Sequence, residues 1–215
     1  MVRRQTLYAI LVAAASLVGG CGTASAHPHG WIDLRSAVVL DADGRITALE
    51  EEWLFDKFYT MFVSHDLGRD PEKRKANLRK LAETNLKGLA PYGYFTVATA
   101  DGENIAVNEV TEYESAIHDG RIWMRFVAPL ATPVDPRRQA FSYAIYDPTY
   151  FVAMMHGKQE TIAFKGGDAG GCRGEIHQPR PTAQAKGLAS TLDFNAKAPN
   201  SFGALFAERI AIECK

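Results

Sequence analysis

Residues 31–40 read WIDLRSAVVL, residues 41–45 read DADGR and residues 46–55 read ITALEEEWLF, and together they predict a β-hairpin. The first segment alternates between two faces, with Ile32, Leu34, Val38 and Leu40 on one and Trp31, Asp33, Arg35 and Val39 on the other. The Asp-Ala-Asp-Gly run has the composition of a turn. In the return strand, residues 50–52 are three successive glutamates. We expect them to form a solvated strand edge that blocks further pairing.

A helical section follows the hairpin. Asp56 is placed to cap a short helix, and Asp70 to cap a second one that has Pro71 at its first position. Gly88 and Pro91 are expected to end the second helix. Its apolar stripe consists of Leu78, Leu81, Ala82, Leu86 and Leu89.

The rest of the chain predicts mostly β structure. Residues 94–100 and 104–113 are expected to pair around an Asp101-Gly102 turn. Further strands are expected at residues 121–128, 141–147, 161–165 and 209–213, with a glycine-rich loop at 166–174 and a mobile connection at 178–186. The predicted fold is α+β, a mostly antiparallel sheet or sandwich built from hairpins, with one helical insertion at about residues 56–90.

The amino terminus predicts export. Arg3 and Arg4 precede an apolar run at residues 7–18, and Ala24-Ser25-Ala26 matches a signal-peptidase site. Residues 1–26 are therefore expected to be a cleaved signal peptide, and residues 27–215 one periplasmic domain that does not span the membrane. Leu17-Val18-Gly19-Gly20-Cys21 offers an alternative, in which Cys21 carries a lipid anchor and the protein is a lipoprotein.

Composition and motifs exclude several function classes. The chain has 24 Lys and Arg against 25 Asp and Glu, a balance that gives no reason to expect nucleic acid or anionic lipid as a partner. It contains no GxSxG, HExxH, P-loop or dinucleotide-binding pattern, so we do not expect an enzyme. Cys172 and Cys214 form an even pair in an oxidising compartment, which predicts a disulfide; thiolate metal ligation is the alternative.

His27 and His29 are the leading candidate metal ligands. Cleavage after Ala26 would place an α-amine and two imidazoles within a few bonds of each other, while Pro28, without an N–H, prevents a deprotonated-amide chelate. Such a set suits zinc, nickel, cobalt or copper. His118 and Asp147, both in turns, are further candidate ligands, although each is also a common turn residue. His156, beside Met154 and Met155, is expected to be a surface histidine next to core methionines.

Several separated motifs resemble a bacterial periplasmic family of unknown function, often labelled the periplasmic component of an uncharacterised ABC-type transport system. They are His27-Pro28-His29, residues 53–59 (WLFDKFY), 92–96 (YGYFT), 129–134 (PLATPV), 146–151 (YDPTYF), 171–172 (GC) and 202–208 (FGALFAE). The resemblance implies an accessory protein of transition-metal transport, associated with nickel/cobalt-type permeases, whose amino-terminal His-x-His corresponds to His27 and His29. Residues 65–71 lack the alternating acidic ligands of a calcium loop, so calcium binding is not expected.

The leading hypothesis is a periplasmic metal-binding accessory protein that captures or hands over zinc, nickel, cobalt or copper. Its expected partner is a membrane metal permease or an ABC-type transporter. The alternative is an ABC-type solute-binding module for a small organic ligand or a metal chelate. In that alternative the pocket would be lined by Trp31, Trp53, Tyr146 and Tyr150.

Overall fold

The computed structural model describes residues 27–157, 162–192 and 201–214. The predicted signal peptide at residues 1–26, with Cys21, lies outside the described residues. Strands β1 (Gly30–Leu40) and β2 (Ile46–Phe55) form the predicted hairpin, in a register that runs from Ile32 opposite Phe55 to Leu40 opposite Ile46.

The hairpin lies at the centre of a larger, six-stranded first sheet. β2 also pairs antiparallel with β6 (Arg121–Val134), which pairs with β5 (Tyr113–His118). On the other side, β1 pairs in parallel with two successive segments, β8 (Val152–His156) and β9 (Ala163–Gly166). The order is β5-β6-β2-β1-β8, with β9 beside the distal half of β1.

The second sheet has five antiparallel strands. Its order is β10-β11-β7-β3-β4, formed by β3 (Thr96–Ala100), β4 (Glu103–Ile105), β7 (Phe141–Ile145), β10 (Arg173–His177) and β11 (Arg209–Glu213). Residues from both sheets share one apolar core, among them Val38, Leu49, Phe126, Tyr143 and Ile210. The predicted α+β class, with mostly antiparallel sheets and a helical insertion, is confirmed.

The described residues form three helices, of which the first two pack against this core and the third packs in a separate apolar cluster with Phe202. They are α1 (Lys57–Leu67), α2 (Pro71–Leu89) and α3 (Ala183–Thr191). The predicted caps are present, because Asp56 accepts a hydrogen bond from the Tyr59 amide and Asp70 one from the Lys73 amide. Helix α2 passes through Gly88 and leads into a 3-10 turn, Ala90–Phe95. Within the described ranges, no helix is both long and apolar enough to cross a membrane.

Several local predictions were wrong. β4 ends at Ile105 instead of residue 113, β8 lies where no strand was expected, and β10 begins inside the predicted glycine-rich loop. Helix α3 begins within the predicted mobile connection and is capped by Thr182, which accepts from the Ala185 amide. These elements are short, so tertiary pairing determines them more than local pattern does.

The three glutamates do not form a solvated edge, because β2 is a central strand. Glu51 is 0% exposed and points into the core, where Ser36 lies opposite it. Glu50 points to the outer face of the first sheet and is also buried. Burial disfavours its charge, but ion pairs with Arg125 at 2.5 Å and with Lys165 hold its pKa below the usual value.

The predicted disulfide between Cys172 and Cys214 is present, with an S–S distance of 2.03 Å and a separation of 42 residues along the chain. It joins the segment before β10 to the segment after β11, so it closes the edge of the second sheet. Both residues pack against the apolar core.

We expect the double variant Cys172→Ser/Cys214→Ser to lose about 4 kcal/mol of unfolding free energy, because a loop of this length restricts the unfolded chain. Urea unfolding of the oxidised protein and the variant measures the difference. Wild-type protein kept reduced is the matched control and should resemble the variant. Equal midpoints for the oxidised protein and the variant would contradict this expectation.

Candidate functional site

His27 and His29 lie next to each other and are built into the fold. The His29 amide donates to the Phe151 carbonyl at 2.8 Å, directly before the pairing of Gly30 with Val152. His27 is only 3% exposed, and its Nδ1 lies 3.1 Å from the Leu192 carbonyl oxygen at the end of α3. The centroids of the two imidazole rings are 4.5 Å apart. This part of the chain is therefore an ordered site rather than a frayed end.

The hydrogen bond to Leu192 selects the tautomer of His27. A carbonyl oxygen can only accept, so Nδ1 carries the proton and the neutral ring has its lone pair on Nε2. This is the way in which backbone carbonyls orient metal-binding histidines. The Nε2 atom of His29 is buried as well, and its ring lies 4.7 Å from that of Phe151. The two imidazole rings thus lie side by side in largely buried surroundings.

Asp147 lies in the turn between β7 and β8. Its Oδ1 accepts from the amide and the hydroxyl of Thr149, both at 2.8 Å, and its Oδ2 accepts from the Val152 amide at 3.1 Å. These three hydrogen bonds shape the turn that brings Phe151 to His29. The structure gives Asp147 a supporting position beside the histidine pair.

His118 is not brought to the histidine pair. It ends β5, the far edge strand, and its ring stacks on Trp123 with centroids 4.5 Å apart. β6 and β2 lie between β5 and β1, which at about 4.8 Å per strand places these strands roughly 14 Å apart. Among the described residues, no three His, Cys, Asp or Glu side chains are arranged to hold a metal ion.

The four predicted pocket aromatics lie in different surroundings. Trp53 is buried in the core and stacks on Phe95, whereas Trp31 is half-exposed on the opposite face of the first sheet. Tyr150 stacks on Phe206 beside α3. Tyr146 is half-buried, and its amide donates to the Phe95 carbonyl. An apolar cleft of about 320 Å³ lies between helices α1 and α2, the start of β1 and the end of β2. Of the four aromatic residues, only Trp53 lines this cleft.

A chain of buried hydrogen bonds crosses the core. The Ser36 hydroxyl lies 2.7 Å from the Tyr143 hydroxyl and 2.8 Å from His156 Nε2. His156 Nδ1 lies 2.9 Å from Glu208, which also accepts from the His156 amide and from Gln178. Burial opposes ionisation of Glu208, but these hydrogen bonds hold its pKa below the usual value. His156 was thus wrongly expected at the surface.

The order Ser36, His156, Glu208 is that of an acyl-transfer relay. However, Ser36 lies in the middle of a strand, and its hydroxyl is held between Tyr143 and His156. All four side chains are buried. The arrangement therefore resembles a structural hydrogen-bond chain more than a site open to substrate.

Glu51 lies opposite Ser36 in the pairing of β1 with β2, and its hydrogen bonds form a second buried group. We call the two groups together the polar layer. The Glu51 carboxyl accepts from Thr96 Oγ1 at 2.6 Å and from Trp53 Nε1 at 2.9 Å. Burial raises its pKa to about 7, although both hydrogen bonds favour the charged form. One sequence signal could have located this layer. Ser36 and Glu51 both occupy inward positions in strands whose other inward residues are apolar.

Comparisons with known proteins identify relatives without an assigned role. The family described as "Protein of unknown function (DUF1007)" matches residues 12–214. An uncharacterised protein of Haemophilus influenzae is 26% identical over 194 residues, which are 88% of this chain and 92% of that protein. An "Uncharacterized 15.5 kDa protein in trpE 3'region" of Spirochaeta aurantia is 32% identical over 113 residues, 51% of this chain and 78% of that protein. No solved structure matches.

We expect Glu51→Gln to change the pH dependence of stability. The pKa of Glu51 is about 7 in the folded protein and 4.5 ordinarily, so its contribution is fully present below about pH 4.5 and is lost as pH rises through 7. At about 1.4 kcal/mol per pKa unit, the wild type should lose about 3 kcal/mol relative to the variant between pH 4 and pH 8.

Urea unfolding at several pH values measures this difference. Glu114→Gln, on the exposed face of the first sheet, is the matched control, and we expect its offset from the wild type to change much less. An offset between the wild type and Glu51→Gln that stays constant from pH 4 to 8 would show that Glu51 does not titrate in this range.

Proposed function

The chain belongs to this family of proteins of unknown function. We propose that it is an exported accessory protein that binds a transition metal ion through His27 and His29. The observation that carries the proposal is the adjacency of the two imidazole rings, with His27 oriented by the Leu192 carbonyl. Anchoring of both residues to distant segments lowers the entropy cost of bringing the ligands together.

A third ligand would come from processing of the precursor. Signal-peptide cleavage after Ala26 would make the α-amine of His27 available beside the two rings. Two imidazoles and an amine leave part of a typical coordination shell for water or a partner's ligand. An incomplete shell suits a protein that receives and passes on its metal. Imidazole binds zinc, nickel, cobalt and copper, so the cargo is one of these four ions.

The expected partner is a membrane metal permease or an ABC-type transporter. The resemblance of several motifs to periplasmic components of transport systems supports this role. The candidate ligands lie at the end of the first sheet where β1 begins, beside the turn held by Asp147. A metal ion bound by these residues would therefore lie near the amino-terminal end of the folded domain.

The second candidate function, a solute-binding module, has one supporting observation. The apolar cleft of about 320 Å³ beside Trp53 is large enough for a small organic group. A metal chelate would need polar contacts as well, which Asn85 and Tyr59 at this cleft could supply. Binding of a small apolar solute by metal-free protein would favour this function.

The test compares protein that begins at His27 with the variant His27→Ala/His29→Ala. Isothermal titration with zinc, nickel, cobalt and copper should show affinity lower by roughly a hundredfold or more in the variant, because both imidazoles are lost. His65→Ala, in an exposed position on α1, is the matched control and should bind as the wild type does. Equal affinity in the double variant and the wild type would refute the assignment.

Two further measurements define the ligand set. Affinity should fall as pH drops through the histidine range, because protonation competes with the metal. Protein that carries two extra residues before His27 should bind less tightly, because its amine is displaced from the rings. If the extended and processed forms bind equally, the amine takes no part in the site.

A further inference from the structure

Helix α1 carries an exposed apolar stripe. Phe58, Met61 and Phe62 are 74%, 69% and 83% exposed, far above what is usual for such large side chains. Their spacing of three and four residues places them on one face of the helix, and they line none of the cavities described above. They therefore form an exposed apolar ridge on α1.

The opposite face of α1 is held firmly. Thr60 and Leu67 are buried, and Thr60 Oγ1 accepts from the Ile122 amide of β6 at 3.0 Å. Asn85 of α2 donates to the Tyr59 hydroxyl. Asn77 donates to the carbonyls of Asp66 and Leu67. These contacts fix the rotation of the helix about its axis, so the ridge faces solvent as a rigid feature.

The two helices that include the ridge differ in charge from the whole chain. Residues 57–89 contain eight Lys and Arg against four Asp and Glu, in a protein whose overall charge is −1. All eight cations are exposed. In the part of the chain that the structure describes, only Lys87 among them forms an ion pair, with Glu83 at 2.6 Å. The even composition of the whole chain thus conceals a basic helical hairpin.

We propose that α1 and α2 dock on the surface of an anionic phospholipid bilayer, with Phe58, Met61 and Phe62 inserted at the level of the headgroups. Aromatic and long apolar side chains flanked by Lys and Arg are the composition by which helices lie in this interface. Basic side chains near such a surface add electrostatic attraction. A protein groove fits a ridge only where it has the same shape, whereas a bilayer accepts any convex apolar ridge.

The proposal does not depend on metal binding, and it departs from the expectation, drawn from net charge, that anionic lipid is no partner. That expectation used the charge of the whole chain, which averages the basic hairpin with an acidic remainder. Docking through the helices would hold the protein beside a membrane even without a lipid on Cys21.

Vesicle co-sedimentation tests this surface with residues 27–215, which exclude the apolar amino-terminal run. Vesicles of phosphatidylglycerol and phosphatidylcholine are compared with vesicles of phosphatidylcholine alone. We expect binding to the anionic vesicles, weakened when NaCl rises from 50 to 500 mM. Phe58→Ser/Phe62→Ser should lower the partition coefficient about ten- to a hundredfold, and Lys73→Glu/Lys75→Glu should lower it on anionic vesicles.

Leu188→Ser is the matched control, since Leu188 is an exposed apolar residue on α3, away from the ridge. It should bind as the wild type does, and thermal melts verify that every variant is folded. Absence of wild-type binding to anionic vesicles, or equal binding by the Phe58→Ser/Phe62→Ser variant, would overturn the proposal. So would a dimer in light scattering that this variant abolishes, because the ridge would then contact a second copy.

Discussion

The two sheets are joined across their core by polar side chains that must all find partners. Ser36, Tyr143, His156 and Glu208 form one hydrogen-bonded chain, and Glu51 with Thr96 and Trp53 forms a second. A shift of β1 against β2 by one residue is excluded by apolar packing alone, because it would turn the apolar side chains outward. A shift by two residues would keep them inward but would leave these buried polar groups without their partners, which is costly. The polar layer therefore specifies the register more narrowly than apolar packing alone would.

Local sequence was sufficient for the elements that local interactions define. The β1–β2 hairpin and the Asp56 and Asp70 caps lie where alternation and capping predict them. β8 could not be recognised, because parallel pairing with β1 gives it no local signature. The glutamates of β2 were misjudged for a related reason. A strand pattern shows which residues share a face, but it does not show whether another strand will cover that face or edge.

At the candidate metal site, too, the sequence indicates some residues, while their surroundings depend on distant parts of the chain. His27 and His29 are visible in the sequence as a pair, but their surroundings come from far along the chain, from Phe151 and from Leu192. The other two predicted ligands were judged from turn composition, which carries no information about distance. Asp147 supports the turn beside the pair, and His118 lies on the far edge strand. The spacing of the histidines in the sequence suggests the candidate ligands, but the surroundings of those ligands depend on how the strands are arranged in the fold.

The parallel pairing of β1 has a consequence for the order of folding. β1 and β2 can pair as soon as both are available, but the other edge of β1 is covered by β8 and β9, more than a hundred residues later. Until the later strands are synthesised, that edge of β1 presents unpaired backbone groups, which are a template for aggregation. The chain can thus complete its first sheet only after more than a hundred further residues have been synthesised.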